Sequence, residues 1–170
     1  MAITYKKIAS VTVGAGGTNI ISFSSIPATY TDLLVKLSAR ADSSSGWPSL
    51  GIKPNGSSSN LTYRLLQGDG ATASSSSGST GFIGAPPDTS QTASTFASFD
   101  IYIPNYAGST NKSYSVDTVG ENNATTSYCY LVAGLWSITS AINQLDFQFL
   151  TTTRNFLQYS TATLYGILKA

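Results

Sequence analysis

The chain has 170 residues, of which 10% are charged, carries a formal net charge of +1 and contains no histidine. So small a net charge provides no long-range field to attract nucleic acid or an anionic membrane surface. Histidine and reactive cysteine carry much of the acid–base and nucleophilic chemistry of proteins near neutral pH, and Cys129 is the one cysteine. The composition therefore favours a protein that binds or holds its neighbours over an enzyme, and it indicates no cofactor or metal.

The surface that this composition predicts is rich in Ser and Thr rather than in Lys and Glu. Such a surface disfavours a free monomer, so it suits a protein covered by neighbouring subunits, or one that meets neutral partners such as sugars. No apolar run approaches the roughly 18 residues needed to span a bilayer. The N-terminus lacks the basic-then-apolar order of a signal peptide. We therefore expect the chain to act without secretion or membrane insertion.

Apolar and polar residues alternate along almost the whole chain, as they do in strands that bury one face. Residues 33–41 are the clearest example, with Leu33, Val35 and Leu37 on one face. We expect nine or ten strands, within about residues 3–13, 18–24, 32–41, 49–53, 60–67, 79–84, 95–103, 112–120, 127–136, 143–150 and 160–168, with one or two of these ranges merged. No long stretch shows helical periodicity, and at most a short helical turn is expected around residues 137–142.

The connections between these strands are rich in Gly, Ser and Pro. Residues 14–17 have the sequence Gly-Ala-Gly-Gly and predict a hairpin between the first two strands, since Gly tolerates positive φ. Two low-complexity stretches predict flexible loops over about residues 70–80 and 84–92.

Many short strands joined by polar turns predict an all-β protein. We expect a single domain over residues 1–170, folded as a two-sheet antiparallel β-sandwich, with a jelly roll as the preferred topology. An immunoglobulin-like sandwich is disfavoured because it is typically nearer 100 residues long.

Acidic residues offer a single candidate for hydrolytic chemistry. A glycosidase needs two carboxylates that flank one bond, and Asp117 and Glu121 are close enough in sequence to reach one rim of the sandwich. The hypothesis is disfavoured, because Asp is common at strand ends and turns for local backbone bonding. Cys129 lies in an apolar run, and we expect it to be a small buried hydrophobe. No catalytic residue is therefore predicted.

Aromatic residues provide the stronger signal, because Tyr and Trp recur at protein interfaces and at surfaces that stack on sugars. The candidate interface or glycan contacts are Trp47, Tyr63, Tyr102, Tyr106, Tyr128 and Tyr130. Trp47 follows Ser45-Gly46 in a predicted loop, so it is either an exposed contact or a plug over the end of the sandwich. Trp136 is expected to lie in the core.

Three segments carry a resemblance to known proteins. Ile101–Lys112, Gln158–Ile167 and Ile20–Asp32 resemble stretches in small virion proteins of tailed phages, especially phages of marine bacteria. Together they cover under a third of the chain and contain no catalytic motif. The resemblance implies a β-sandwich on the outside of a virion that is assembled in a bacterial cytoplasm.

Three functions follow from this context. The preferred one is a non-enzymatic capsid decoration (cement) protein, forming a homotrimer that bridges subunits of the major capsid protein. The alternative is a receptor-binding tail fibre or knob domain that contacts tail proteins and host surface polysaccharide. The third is a lyase or glycoside hydrolase that would use Asp117 and Glu121 on envelope sugars.

Overall fold

The computed structural model describes residues 4–123, 126–151 and 153–168. The strands in those residues are β1 (Tyr5–Thr12), β2 (Ile20–Phe23), β3 (Asp32–Ala39), β4 (Leu50–Pro54), β5 (Leu61–Gly68), β6 (Ala73–Gly78), β7 (Phe82–Gly84), β8 (Ala97–Ile103), β9 (Lys112–Gly120), β10 (Tyr128–Trp136), β11 (Leu145–Phe149) and β12 (Thr161–Ile167). The same residues contain no helix, and hence none that could cross a membrane. The protein is all-β, as the alternation predicted.

The strands form two sheets. The larger sheet has eight strands in the order β1-β12-β3-β8-β9-β10-β5-β6, and the smaller sheet has four in the order β2-β11-β4-β7. Neighbouring strands are antiparallel throughout both sheets. Apolar side chains from both sheets form one buried core. This arrangement is consistent with the predicted β-sandwich.

Alternation along the strands builds the core. Leu33, Val35 and Leu37 of β3 are all at most 2% exposed. Their partners in β8 are buried as well, with Ile101 opposite Val35 and Phe99 opposite Leu37. Burying an apolar side chain of this size contributes about 1.5–3 kcal/mol, so these two central strands anchor the larger sheet.

Two buried tyrosines differ in how their hydroxyl groups are satisfied. Tyr114 of β9 is 4% exposed, and its hydroxyl has no hydrogen-bond partner in the described part of the chain. Burial raises the pKa of Tyr114, which therefore stays neutral. Tyr106 is fully buried, but its hydroxyl donates to the Pro27 carbonyl and accepts from the Tyr30 amide.

Replacing these hydroxyls is expected to have opposite effects. Tyr114→Phe should leave the free energy of unfolding unchanged or raise it by up to about 1 kcal/mol, because it removes an unpaired buried polar group. Tyr106→Phe should lower it by about 1–2 kcal/mol, because it removes both hydrogen bonds of a buried hydroxyl, to the Pro27 carbonyl and from the Tyr30 amide. Urea denaturation measures both. A loss of stability in Tyr114→Phe equal to that in Tyr106→Phe would show that the Tyr114 hydroxyl is bonded.

The hairpin predicted at residues 14–17 is wrong. β1 pairs with β12 in the larger sheet, while β2 pairs with β11 in the smaller one, so this segment carries the chain from one sheet to the other. Thr18 exchanges backbone hydrogen bonds with Phe156, at 3.2 and 2.7 Å, and not with β1. Gly17 adopts φ +66° where it passes the Phe156 carbonyl. The glycine-rich segment therefore connects strands of different sheets. A Gly-rich turn occurs in both kinds of connection, so its sequence alone does not distinguish this crossing from a hairpin.

The helical turn expected around residues 137–142 is also wrong. This segment is an irregular connection from β10 towards β11. Its backbone bonds go to other parts of the chain, since the Ser137 amide donates to Asn60 and the Ile142 amide donates to Tyr106. Ile142 is 2% exposed. Tertiary contacts therefore replace the local bonds that a helix would have made.

The two predicted flexible loops are more ordered than expected. Residues 73–78 form strand β6, which pairs with β5 in unbroken register. Residues 84–88 are buried, and the Pro87 carbonyl accepts from the Ala41 amide at 3.0 Å. Low-complexity composition signalled a lack of apolar side chains, but it carried no information on these backbone hydrogen bonds.

Candidate interaction surface

Most of the aromatic contact candidates lie inside the protein, where four of them join Phe82 in a ladder of rings. Trp47 meets Tyr128 edge-on with ring centroids 5.3 Å apart, and Tyr128 stacks on Tyr130 at 5.6 Å. Phe82 of the smaller sheet packs against Tyr130 at 5.5 Å and Tyr63 at 5.2 Å. The ladder therefore fills the space between the two sheets and presents no flat aromatic platform to a sugar.

Trp47 occupies the position of a plug. Its half-buried ring packs on the core, and a Cβ placed on Gly120 would come within 2.7 Å of it. The absence of a side chain at Gly120 thus makes room for the indole. Its Nε1 is buried and has no hydrogen-bond partner within the described ranges. Of the two interpretations of this loop, the geometry supports the plug.

The remaining two candidates differ in exposure. Tyr106 is fully buried, so its ring has no surface to offer a partner. Tyr102 is 38% exposed on β8, and its hydroxyl donates to Asp32 at 2.9 Å. That hydrogen bond raises the pKa of Tyr102 above its ordinary value, followed by smaller effects of burial and of the Asp32 charge. Of the six candidates, Tyr102 is the one that is exposed.

An apolar surface appears instead on the outward face of the larger sheet. Leu66 is 61% exposed, Val119 and Leu131 are each 54% exposed, and Leu135 is 36% exposed. On β10, Cys129 before Leu131 and Ala133 between Leu131 and Leu135 also face solvent. We call this set the outer apolar strip: Leu66, Val119, Cys129, Leu131, Ala133 and Leu135. Clustered exposed apolar side chains of this size mark contact surfaces more often than isolated ones do.

The centre of the outer apolar strip is concave. Leu66 of β5 is the direct register partner of Leu131 of β10, and the next strand supplies Ser75 of β6 opposite Leu66. Two shallow grooves, of about 690 and 590 Å³, share these three residues as lining. The two grooves therefore form a shallow trough across β10, β5 and β6, to which the strip contributes Leu66, Cys129, Leu131 and Ala133.

The prediction that Cys129 is buried is wrong, because its side chain lies on the outward face of β10. The sequence around it also contains the pattern from which the outer apolar strip could have been predicted. Tyr128 and Tyr130 point into the core, so Cys129 between them points outward and is exposed. Residues 128–136 read Tyr-Cys-Tyr-Leu-Val-Ala-Gly-Leu-Trp, with no charged residue at either parity. A strand with one solvated face alternates, whereas an unbroken apolar run indicates that both faces are covered. The uninterrupted apolar run over residues 128–136 was therefore the sequence feature that indicated an apolar outward face on β10.

The two edges of the larger sheet differ in protection. β1 carries Lys6 and Lys7, and its pairing is irregular between Lys7 and Ala9. Charge and bulges are the devices that keep an edge strand from pairing with another chain. β6, at the opposite edge, reads Ala-Ser-Ser-Ser-Ser-Gly, is almost fully exposed and pairs with β5 without a bulge. One edge is blunted, and the other is open beside the outer apolar strip.

Asp117 and Glu121, considered above for hydrolysis, are not arranged as a catalytic pair. Asp117 faces outward from the middle of β9, directly opposite Asp100 of β8. Glu121 lies in the following loop, where it accepts from the Asn123 amide at 2.6 Å and the Ser127 hydroxyl at 3.0 Å. These bonds, the Asn123 amide first, hold the pKa of Glu121 below its ordinary value. A general acid requires the opposite shift.

Comparisons with known proteins assign no family to the chain. No protein-family model matches it, and no curated protein matches it. Within the described ranges, no three His, Cys, Asp or Glu side chains gather where they could hold a metal ion. The chemistry on which a function can be argued is therefore that of one surface: an open, uncharged edge strand beside an exposed apolar strip.

Proposed function

We propose that the protein is a non-enzymatic structural component of the exterior of a tailed-phage virion, and specifically a capsid decoration (cement) protein. In this role it forms a homo-oligomer and binds the major capsid protein, stabilising the head after assembly in the bacterial cytoplasm. The resemblance to phage virion proteins supplies the context, and the outward face of the larger sheet supplies the contact surface.

One observation carries the proposal, namely that the open β6 edge adjoins the outer apolar strip. Both features are liabilities for a free monomer, since an unprotected edge pairs with other chains and an exposed apolar trough promotes association. Both become favourable once neighbouring subunits cover them. At roughly 25 cal/mol for each Å² of apolar area removed from water, covering the trough would add to the stability of an assembled particle.

The tail fibre or knob function is the second proposal, and it receives less support. Glycan binding by stacking needs exposed aromatic rings, whereas Trp47, Tyr63, Tyr128 and Tyr130 belong to the internal ladder. Of the candidates, Tyr102 remains as an exposed ring on the outer face, and Tyr5 and Tyr159 are exposed tyrosines outside the candidate set. An apolar trough without a ring platform fits a protein neighbour better than a sugar.

Removing the protein from the particle tests the preferred function. Particles that lack it should lose their packaged DNA at a lower temperature than complete particles, and they should adsorb to host cells at the normal rate. Adding back the purified protein should restore the heat stability. Normal heat stability combined with defective adsorption would contradict decoration and favour the tail function.

We also propose that the sandwich is a jelly roll with additional strands. The order β2-β11-β4-β7 alternates strands from the two ends of the chain, as a wound pair of antiparallel strands does. In the larger sheet, β1-β12-β3-β8 follows the same alternation and would form the second half of the roll, since winding then pairs β1 with β12, β2 with β11, β3 with β8 and β4 with β7. The additional strands would be β5, β6, β9 and β10. An experimental structure in which β2 does not pair with β11 would contradict this topology.

A further inference from the structure

We propose that the outer apolar strip binds a second copy of the same chain through a two-fold contact, in which Asp117 of each copy faces Arg64 of the other. The proposal deepens the function above by naming one partner of the outward face, and it rests on that function only for its biological setting. It is argued from the charges that flank the strip.

Asp117 has no ion-pair partner among the described residues of its own copy. Lys36, Asp100 and Asp117 lie side by side on β3, β8 and β9, because Lys36 is the register partner of Asp100 and Asp100 that of Asp117. Lys36 forms an ion pair with Asp100. This row therefore contains two carboxylates but one lysine, and the lysine is paired with Asp100. Asp117, the one nearer the strip, forms no ion pair with any described residue.

Arg64 is the complementary case. It faces outward from β5, and its guanidinium donates to the Tyr63 carbonyl at 2.9 Å but pairs with no carboxylate in the described part of the chain. Asp117 is the register partner of Leu131, and Arg64 is that of Ala133, two residues further along the same strand. The opposite charges therefore lie diagonally across β10, roughly 12 Å apart by the ordinary spacings of a sheet, which is too far for an ion pair within one copy.

A two-fold contact would give both Asp117 and Arg64 an oppositely charged partner. When two outward faces stack, a two-fold axis that lies between them and is the perpendicular bisector of the Asp117–Arg64 diagonal exchanges the two positions. Each Asp117 then faces the partner copy's Arg64, giving two ion pairs around a centre occupied by Leu66, Leu131 and Ala133. A self-complementary patch of this kind is what an isologous interface requires. The resulting oligomer contains an even number of copies, unlike the trimer, which remains a prediction of the resemblance alone.

Charge reversal on the purified chain tests the contact. Asp117→Lys and Arg64→Glu should each weaken self-association about a hundredfold or more, because each places like charges opposite one another at two points. An equal mixture of the two variants should associate again as a mixed pair. In that pair the introduced lysine faces the introduced glutamate, while the unchanged Arg64 of one copy faces the unchanged Asp117 of the other. The double variant should self-associate like the original chain. Sedimentation velocity and native mass spectrometry measure all of these proteins.

The control is Lys7→Glu, which reverses an exposed charge on the opposite edge strand of the same sheet and should leave association unchanged. Thermal unfolding of each variant checks that its fold is retained. A monomeric or trimeric original chain, single variants that associate normally, or a mixture that stays unpaired would each overturn the two-fold contact. None of these results bears on whether the chain is present in virions, so the proposed function stands or falls separately.

Discussion

Gly134→Val is expected to lower the free energy of unfolding by about 3 kcal/mol or more, the largest effect of any single substitution considered, since overpacking a tight core is costly. Gly134 points inward from the middle of β10, and its register partner in β9 is Tyr114. The Tyr114 ring lies over the glycine, so that a Cβ at position 134 would come within 2.0 Å of the ring carbon Cζ. The strand can accommodate a side chain there only if the ring leaves its place.

The matched control is Ser113→Val, which adds a β-branched side chain to the exposed face of the neighbouring strand and should change stability by less than about 0.5 kcal/mol. The double variant Gly134→Val/Tyr114→Ala should lose less stability than the sum of the losses in the two single variants, because Tyr114→Ala removes the atoms that the new side chain meets. Urea denaturation measures all of these variants. Original stability in Gly134→Val would contradict the packing of Tyr114 over β10.

Asp88→Asn should lower the free energy of unfolding by about 3 kcal/mol, because a buried carboxylate that accepts several hydrogen bonds is replaced by a group that also donates. Asp88 has no exposed surface. One of its oxygens accepts from Ser43, Ser45 and Gly46, and the other accepts twice from Ser90. The carboxylate thus ties the loop that leads to the Trp47 plug to the segment after β7.

The same group makes stability depend on pH. Burial opposes its charge, but the hydrogen bonds from Ser90, Ser43 and Gly46 outweigh burial and hold the pKa of Asp88 below its ordinary value. A lowered pKa in the folded state stabilises the fold above the unfolded-state pKa of about 3.9 and loses this contribution as the pH falls through the folded value.

Melting temperatures between pH 7 and pH 2 measure this effect. The original chain should lose stability below about pH 4, and Asp88→Asn should lack that part of the loss. Asp69→Asn is the control, because Asp69 makes comparable bonds to Ala71 and Thr72 but lies in an exposed turn, where its effect should be much smaller. Parallel curves for the original chain and Asp88→Asn would contradict the role of this carboxylate.

Alternation predicted the strands well where one face is buried and the other is solvated. β3 and β8 follow this rule over their whole length, so their buried residues could be named from sequence. The rule failed where backbone bonds decide the outcome. β6 consists mostly of serine, and its side chains do not distinguish a loop from an edge strand. Its register is set by backbone pairing with β5.

The candidate site was missed for a related reason. Tyr128 and Tyr130 were expected at the surface because of their chemistry, but the parity of β10 turns both into the core. Trp136, on the same face, is buried as expected. The same parity turns Leu131 outward. Residue type alone therefore pointed to the wrong face, whereas the unbroken apolar run of β10 already indicated two covered faces. Pairing across strands, which brings Leu66 beside Leu131, has no local signal in the sequence.

The copy number of this chain in purified virions tests the central claim most directly. Quantitative mass spectrometry of purified particles would measure it against the major capsid protein. A decoration protein that covers the head predicts a ratio to the major capsid protein between one to one and one to a few. A copy number that is a small fraction of that, or absence of the chain from the particle, would contradict the claim that it decorates the capsid.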